Sequence, residues 1–368
     1  MKKKIYFFSS NRADFNLVHN IYSEFIKRSN YEIKFIITGK LDIEKLDKNF
    51  IRYQFREYKN KYTNNPKNIS LYINKFNEFF NDHKPDLIFL LGDRYETLGI
   101  ALSAFYNFIK IAHISGGEET EGSMDNINRH LITKLSNYHF VYFAEYKKRI
   151  IQLGEDPRLI TICNPVFIDS IKKNYQRREV IEERFNFKFK NMNALVTFHP
   201  ITNNPTKNLI FLNTLLEAIS NFKKVNFIFT SSNHDGCGDI MNKIIKKYCS
   251  NNNLNSVFIE NFGHKFYYSC LINVNFVLGN SSSGVLEAPL LGIPSINLGN
   301  RQKGRIKLEK VIFCDIELNK IIRSIKKALS LKKGRPYKNK SSPSSIILNK
   351  TKDYLRTNKN YPKVFFDI

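Results

Sequence analysis

The sequence has few cysteines and no long apolar run. The five cysteines are too scattered to form Cys-x-x-Cys pairs, which argues against both a disulfide framework and a zinc site. No apolar run approaches the length needed to cross a bilayer, and only four apolar residues separate Lys4 from Ser9, too few for a signal-peptide core. These absences predict a cytoplasmic protein with no membrane partner, whose reduced and mostly buried thiols are Cys163, Cys237, Cys249, Cys270 and Cys314.

Acidic residues are also scarce relative to basic ones. The chain has 58 Lys and Arg against 33 Asp and Glu, a net charge of +25. Such a charge suits nucleic acid, a membrane surface or a phosphorylated metabolite and does not select among them. The lysines are dispersed, apart from a cluster from Lys332 to Lys340 that we interpret as a solvated linker. An RNA-binding protein calls for aromatic residues interleaved with Lys and Arg on an exposed strand, and we find no convincing case, so no nucleic-acid partner is expected.

Short β-rich segments alternate with amphipathic helical segments along the whole chain. This pattern is typical of βαβ units in parallel sheets. A chain of 368 residues is too long for one ordinary core, so the predicted fold class is α/β, with two Rossmann-like domains facing a cleft. The predicted strands are 5–8, 33–38, 86–91, 110–114, 139–143 and 159–163, then 194–198, 225–230, 256–259, 276–278, 295–297 and 311–314.

The strand-like pattern lapses through Asn164-Pro165 and the charged helical stretch 172–184. We therefore place an N-terminal Rossmann-like domain at 1–170 and a C-terminal one at 171–345. The C-terminal segment 346–368, which begins with a helical pattern, is a candidate to pack back on the first domain.

Polar side chains are concentrated after the predicted strand 110–114. Ser115-Gly116-Gly117-Glu118 begins a loop that leads through Asp125 into a helix carrying Asn128, Arg129 and His130. Adjacent glycines let the backbone turn tightly and approach a ligand, and open α/β sheets bind ligands outside the carboxyl ends of their strands. We interpret the segment as the floor of an active site. The alternative is a solvated loop before a capped helix, because a helix dipole favours acidic residues near its N-terminus whatever the function.

The second half carries a candidate anion site after the predicted strand 276–278. Asn280-Ser281-Ser282-Ser283-Gly284 follows that strand, and we expect a helix to begin at Val285. Free backbone N–H groups and the helix dipole both favour an anion there, with phosphate the obvious ligand. The carboxylate of Glu287 suits two hydrogen bonds from a ribose diol. The alternative is a serine N-cap, with Glu287 merely in the first helical turn.

Four other predicted strands also end in charged or polar groups. Arg12 and Asp14 follow the first strand, and Asp93-Arg94-Tyr95-Glu96 follows the third. In the second half, His199 ends the first strand and Ser231 to Gly236 ends the next. Each group is weak by itself, but their shared placement at ligand-binding strand ends supports the anion site.

Six ordered segments of the chain carry a family resemblance. They are Gly92 to Glu96, His113 to Glu118 with Asp125 to Lys134, Glu145 to Glu155, Thr197 to Pro200, Asn280 to Glu287, and Asn300 to Arg305. Together they resemble the hydrolysing UDP-N-acetylglucosamine 2-epimerases of sialic acid biosynthesis, over nearly the whole chain. The resemblance implies a GT-B-type pair of Rossmann domains. It also implies conversion of UDP-N-acetylglucosamine and water to N-acetylmannosamine and UDP, for a surface polysaccharide.

The resemblance further implies roles for individual residues. Asp93 and Asp125 match catalytic carboxylates, and Arg129 flanks them. Many relatives have a glutamate where this chain has Ser115, so that role is either absent or moved to Glu118, which we include among the catalytic candidates. Contacts with the nucleotide or the diphosphate are implied for Arg12, Arg94, His199, Asn233, Ser281, Ser282, Glu287 and Arg301.

The expected partners are a UDP-sugar substrate and further copies of the chain, as a dimer or tetramer. No metal or redox cofactor is expected, because arginines and a helix N-terminus can supply positive charge and the chain has no acidic metal motif. Two alternatives stay open. One is a relative acting on a UDP- or GDP-2,4-diacetamido-2,4,6-trideoxyhexose for legionaminic acid. The other is a GT-B glycosyltransferase, which would not need carboxylates at Asp93, Glu118 and Asp125 close to C2 of the sugar.

Overall fold

The computed structural model describes residues 2–10, 12–38, 48–58, 66–121, 125–201, 207–233, 237–336, 341–357 and 363–368. The chain divides into two compact units. Unit 1 comprises Met1–Glu118, Met124–Ser170 and Asn339–Ile368, and unit 2 comprises Glu119–Ser123 and Ile171–Lys338. None of the described helices is both long enough and apolar enough to cross a membrane.

Helices follow most of the strands in both units. The described helices of at least four residues are α1 (Arg12–Arg28), α2 (Pro66–His83), α3 (Tyr95–Tyr106), α4 (Asp125–Leu135), α5 (Ala144–Gln152), α6 (Phe167–Asn174), α7 (Arg178–Phe185), α8 (Asn208–Ser220), α9 (Gly238–Asn251), α10 (Gly263–Asn273), α11 (Ser282–Val285), α12 (Glu287–Leu290), α13 (Leu318–Ser330) and α14 (Pro343–Thr357).

Unit 1 is built on a seven-stranded parallel sheet with the order β3-β2-β1-β4-β5-β6-β7. Its central strands are apolar and buried, as expected for a parallel sheet covered on both faces, and Phe7 stacks on Phe89 across two neighbouring strands at 4.7 Å. The strand order reverses between β1 and β4, where doubly wound sheets bind their ligands. The strands are β1 (Lys4–Ser9), β2 (Glu32–Ile37), β3 (Phe50–Arg52), β4 (Leu87–Leu91), β5 (Lys110–Ile114), β6 (Tyr138–Val141) and β7 (Ile160–Ile162).

Helix α14 packs within unit 1, against residues distant from it in sequence. At its start, the backbone N–H and the hydroxyl of Ser344 both donate to Asp169, at 2.9 and 2.6 Å. Further along the helix, the ring of Tyr354 stacks on Tyr138 of β6 at 4.5 Å. The end of the chain is thereby attached to the same sheet as its beginning.

Unit 2 repeats this arrangement with a six-stranded parallel sheet of order β10-β9-β8-β11-β12-β13. Aliphatic and aromatic side chains from the sheet, α8, α9 and α13 form its core. The strand order reverses between β8 and β11, so the loops after these two strands lie at the ligand-binding edge. The strands are β8 (Asn193–Thr197), β9 (Asn226–Thr230), β10 (Ser256–Ile259), β11 (Phe276–Gly279), β12 (Ser295–Leu298) and β13 (Val311–Cys314).

The predicted α/β class with two Rossmann-like units is confirmed, and each of the twelve predicted strands is present to within two residues at either end. Two expectations need correction. The short edge strand β3 was not predicted. The helix expected to begin at Val285 begins instead at Ser282, and α12 follows it after a break at Leu286. Pro289 accounts for the break, because it has no N–H to donate to the carbonyl four residues earlier.

Candidate functional site

The first cluster lies where β4 and β5 end side by side, with Leu91 paired to Ile114. Asp93 lies in the loop after β4, and Arg129 projects from α4. Its side chain is 2% exposed, against 24% for Asp93, and its guanidinium donates to the Asp93 carboxylate. The same guanidinium donates to the backbone carbonyl of Glu118 at 2.8 Å and to Asn126 Oδ1 at 3.1 Å. A buried charge needs this full set of partners, so Arg129 ties the two loops together.

Glu118 is buried at the end of the glycine-containing loop, and its Oε1 accepts a hydrogen bond from the hydroxyl of Tyr146 at 3.1 Å. The loop lies against α5 at this point. A Cβ on Gly117, whose φ is +73°, would come within 2.4 Å of the Tyr146 carbonyl oxygen. Ser115 also has a left-handed backbone, with φ of +69°. Because few residues other than glycine adopt that conformation without cost, the loop is held in a specific shape.

The remaining candidates of unit 1 lie at the starts of helices. Asp125 is the first residue of α4, where the helix dipole favours a carboxylate. Arg94 precedes α3 and binds the buried carboxylate of Glu96 through several hydrogen bonds of 2.8–3.2 Å. Helix α1 begins at Arg12, whose side chain lies outside the described part of the structure.

In unit 2, Asn280 connects the ends of β8 and β11. Its side chain is completely buried and hydrogen-bonds both the backbone N–H and the backbone carbonyl of His199. Oδ1 accepts from the His199 N–H at 2.7 Å, and Nδ2 donates to the His199 carbonyl at 2.8 Å. The Asn280 carbonyl in turn accepts from Arg301 at 3.2 Å and from Gln302 at 2.9 Å. One asparagine thus fixes two of the segments expected to bind the diphosphate.

The imidazole of His199 is held in one protonation state. Burial, assisted by the positive charge of Arg301, lowers the pKa of His199 to about 3, so the ring is neutral near pH 7. Its Nδ1 accepts a hydrogen bond from the backbone N–H of Asn233 at 3.1 Å. A neutral ring that accepts at Nδ1 carries its proton on Nε2, which is then a donor.

The serine-rich turn contains a serine N-cap, which is one of the two interpretations that the sequence left open. Ser281 is the N-cap of α11, and its Oγ accepts from the Ser283 N–H at 3.4 Å. Ser282 is the first residue of that helix, so its backbone N–H is among those that a short helix leaves without an intrahelical acceptor. The hydroxyl of Ser283 pairs with Tyr267 of α10. Burial, followed by the negative charge of Glu287, raises the pKa of Tyr267.

Several contacts at the two clusters involve residues that the sequence gave no reason to select. Tyr146 is the third residue of α5 and Tyr267 lies in the middle of α10, and their hydrogen bonds to Glu118 and Ser283 span 28 and 16 residues. Tyr146 and Asn280 both stood in segments of the family resemblance, but neither side chain was assigned a role. No periodicity marks such residues, because each contact depends on how remote elements pack.

The short segment Glu119–Ser123, directly after Glu118, belongs to unit 2 by its contacts. The backbone N–H of Glu121 donates to the Lys303 carbonyl at 3.0 Å, and its carboxylate pairs with the Lys303 ammonium at 2.7 Å. A Cβ on Gly304 would meet the Glu119 side chain at 2.9 Å. Gly304 therefore allows the segment to lie close to the loop that carries Arg301.

Comparisons with known proteins identify the family. A family model described as UDP-N-acetylglucosamine 2-epimerase matches residues 25–347. The GDP/UDP-N,N'-diacetylbacillosamine 2-epimerase (hydrolyzing) of Campylobacter jejuni is 32% identical over 337 residues, which cover 89% of this chain and 87% of that protein. The polysialic acid biosynthesis protein P7 of Escherichia coli is 31% identical over 389 residues, covering 100% of this chain and 98% of that protein.

The fold has close counterparts among solved structures. The crystal structure of UDP-GlcNAc 2-epimerase from Neisseria meningitidis bound to UDP-GlcNAc has a TM-score of 0.76 at 19% identity, covering 96% of this chain and 100% of that one. At this identity the likeness concerns the fold, which is of GT-B type. Because the family model spans most of the sequence and two relatives align over nearly their full length, the chain belongs to the UDP-N-acetylglucosamine 2-epimerase family.

Proposed function

We propose that the protein is a hydrolysing 2-epimerase that converts UDP-N-acetylglucosamine and water to N-acetylmannosamine and UDP. Family membership and the polysialic acid biosynthesis protein that aligns end to end support this reaction. The single structural observation that carries it is the buried Arg129, which binds the Asp93 carboxylate and the Glu118 backbone together at the ligand-binding edge of unit 1.

The chemistry requires a positioned base and a positioned acid at C2 of the sugar. In the first step a carboxylate removes the C2 proton, the bond from C1 to the diphosphate oxygen breaks, and a C1=C2 double bond forms while UDP leaves. In the second step water adds its oxygen to C1 and releases one proton, so that C1 carries a hydroxyl, while C2 receives a proton on the opposite face. We assign these proton transfers to Asp93 and Asp125, which lie on different loops, with Glu118 and Arg129 supporting them.

The departing diphosphate needs cations and N–H donors that are already in place. In unit 2 we assign this role to the Nε2–H of His199, to Arg301 and to the turn formed by Ser281 and Ser282. Asn233 orients the His199 ring through its backbone N–H. Further contacts with the nucleotide or its diphosphate are assigned to Arg12, Arg94 and Glu287, with Glu287 binding the ribose diol.

A second candidate substrate is a UDP- or GDP-linked diacetamido-trideoxyhexose. The observation that favours it is the Campylobacter jejuni relative, whose name specifies N,N'-diacetylbacillosamine and which is 32% identical to this chain. Both substrates have an N-acetylated amino group at C2 and undergo the same elimination. They differ at C4 and C6 of the sugar, so the same carboxylates serve either one.

The test is incubation of the purified protein with each sugar nucleotide alone, followed by NMR of the products. Free UDP together with N-acetylmannosamine from UDP-N-acetylglucosamine supports the first proposal. Turnover confined to the diacetamido sugar nucleotides supports the second. Nucleotide release that depends on an added acceptor sugar indicates a glycosyltransferase and refutes both.

A further inference from the structure

His113, the second-last residue of β5 before the glycine-containing loop, is completely buried and makes two hydrogen bonds within unit 1. Nε2 lies 2.8 Å from the carbonyl oxygen of Gly92, and Nδ1 lies 3.1 Å from Oγ1 of Thr133. A carbonyl oxygen only accepts, so Nε2 carries the proton. Burial lowers the pKa of His113 to about 3, so the ring is neutral and Nδ1 accepts from the Thr133 hydroxyl. Both ring nitrogens are engaged inside the protein.

The two hydrogen bonds lead directly to the candidate base. Gly92 immediately precedes Asp93, and its φ of +86° marks a sharp turn there. Thr133 lies one helical turn after Arg129 on α4, so both residues project from the same side of that helix. Arg129 holds the Asp93 carboxylate, while Thr133 acts through His113 on the carbonyl next to Asp93. Helix α4 therefore fixes this residue at two points.

The glycine-containing loop closes over this contact. A Cβ on Gly116 would lie 2.8 Å from Oγ1 of Thr133 and 3.0 Å from Nδ1 of His113. Only a residue without a side chain leaves room for the hydrogen bond between them. The sequence His113-Ile114-Ser115-Gly116 thus contains the imidazole and the glycine that encloses it.

We propose that His113 and Thr133 are positioning residues that hold Asp93 at the geometry needed for proton transfer at C2. The proposal rests on the proposed 2-epimerase function. His113 does not itself exchange protons with the substrate, because its nitrogens bind Gly92 and Thr133. Misplacing a catalytic group by about 1 Å costs up to about 100-fold in rate, so loss of this contact is expected to appear in kcat.

The test compares Thr133→Val, which removes only the hydroxyl, with Thr133→Ser, which keeps it. We expect Thr133→Val to lower kcat by about 10-fold or more, with KM and the Kd for UDP nearly unchanged, and Thr133→Ser to restore most of kcat. Ile132→Val is the matched control, because it removes one methyl group from a buried neighbour on α4 and lowers Tm without lowering kcat. A wild-type kcat in Thr133→Val, with Tm lowered as in the control, overturns the proposal.

A double-mutant cycle shows whether the effect passes through Asp93. If it does, Thr133→Val changes the residual rate of Asp93→Asn by less than about 2-fold. Equal fold losses in the two backgrounds contradict the proposal, while the epimerase function stands because the wild-type protein still turns over. An inactive wild-type protein refutes the proposed function, and the positioning role falls with it. If Thr133→Val does not fold, His113→Gln, which keeps a donor and an acceptor, is expected to exceed His113→Leu in kcat; equal rates overturn the proposal.

Discussion

Replacing Arg129 by methionine is expected to destabilise the protein far more than replacing an exposed arginine that also has a carboxylate partner. The methionine fills similar space but provides no donor for the Asp93 carboxylate, the Glu118 carbonyl or Asn126 Oδ1. A hydrogen bond to a charged group contributes about 1.5–3 kcal/mol and a neutral one about 1 kcal/mol. Because Asp93 is 24% exposed, water can solvate part of its carboxylate after the change. We expect a net loss of about 3 kcal/mol, near the lower end of the range for breaking a buried ion pair.

The matched control is Arg158→Met. Arg158 pairs with Asp156 at 2.6 Å, but its side chain is 72% exposed. The Asp156 carboxylate is 8% exposed, but in this variant it keeps the hydrogen bond from the backbone N–H of residue 158 at 2.8 Å. Because the lost guanidinium is largely in water, we expect a change of no more than about 1 kcal/mol. Urea unfolding followed by circular dichroism and tyrosine fluorescence suits a chain with 19 tyrosines and no tryptophan. If Arg129→Met unfolds at the same urea concentration as Arg158→Met, the interpretation of Arg129 as the buried link between the two loops is wrong.

Three further outcomes are expected. Asp93→Asn should lower turnover by about 100-fold and leave UDP affinity intact, whereas replacing the exposed Asp82 by asparagine should leave turnover unchanged. Solvent deuterium should appear at C2 of the product in heavy water. Near-normal turnover in Asp93→Asn would remove Asp93 from the mechanism. Arg301→Ala should weaken UDP binding by about 1–3 kcal/mol in titration calorimetry, and unchanged affinity would exclude Arg301 from the site. His113 and His199 have lowered pKa values of about 3, and unfolded histidine titrates near 6.5, so their contribution to stability should be complete above about pH 6.5 and lost as the pH falls toward 3. Replacing His113 by glutamine should reduce this acid dependence, measured as the urea midpoint at each pH. An unaltered pH profile would contradict burial of a neutral His113 ring.

The sequence predicts the parallel sheets well because each strand is a short apolar run between turn residues, and that pattern survives without knowledge of the partners. It misses β3 because Phe50–Arg52 is only three residues long and lies at the sheet edge, where little apolar surface is buried. The broken helix after Ser281 follows from Pro289, a signal that is present in the sequence but that the expected helix from Val285 did not take into account.

The candidate site is less accessible to such reasoning. Polar residues at strand ends identify where a ligand binds, since the carboxyl ends of parallel strands meet at one edge. They do not reveal which side chains form hydrogen bonds or ion pairs with each other. The bonds from Arg129 to Asp93 and from Asn280 to His199 join residues 36 and 81 positions apart, and their geometry is set by the packing of α4 and β11.

The histidines illustrate why tertiary context decides chemistry. A histidine beside carboxylates and glycines suggests an acid or base, because an exposed imidazole titrates near neutral pH. Instead His113 is buried, His199 is half-buried, and both rings are neutral. Each accepts at Nδ1, His113 from a hydroxyl and His199 from a backbone N–H. The proton of His113 is committed to the Gly92 carbonyl. In the proposed mechanism neither ring is therefore the base at C2, and proton removal at that carbon falls to a carboxylate held by Arg129.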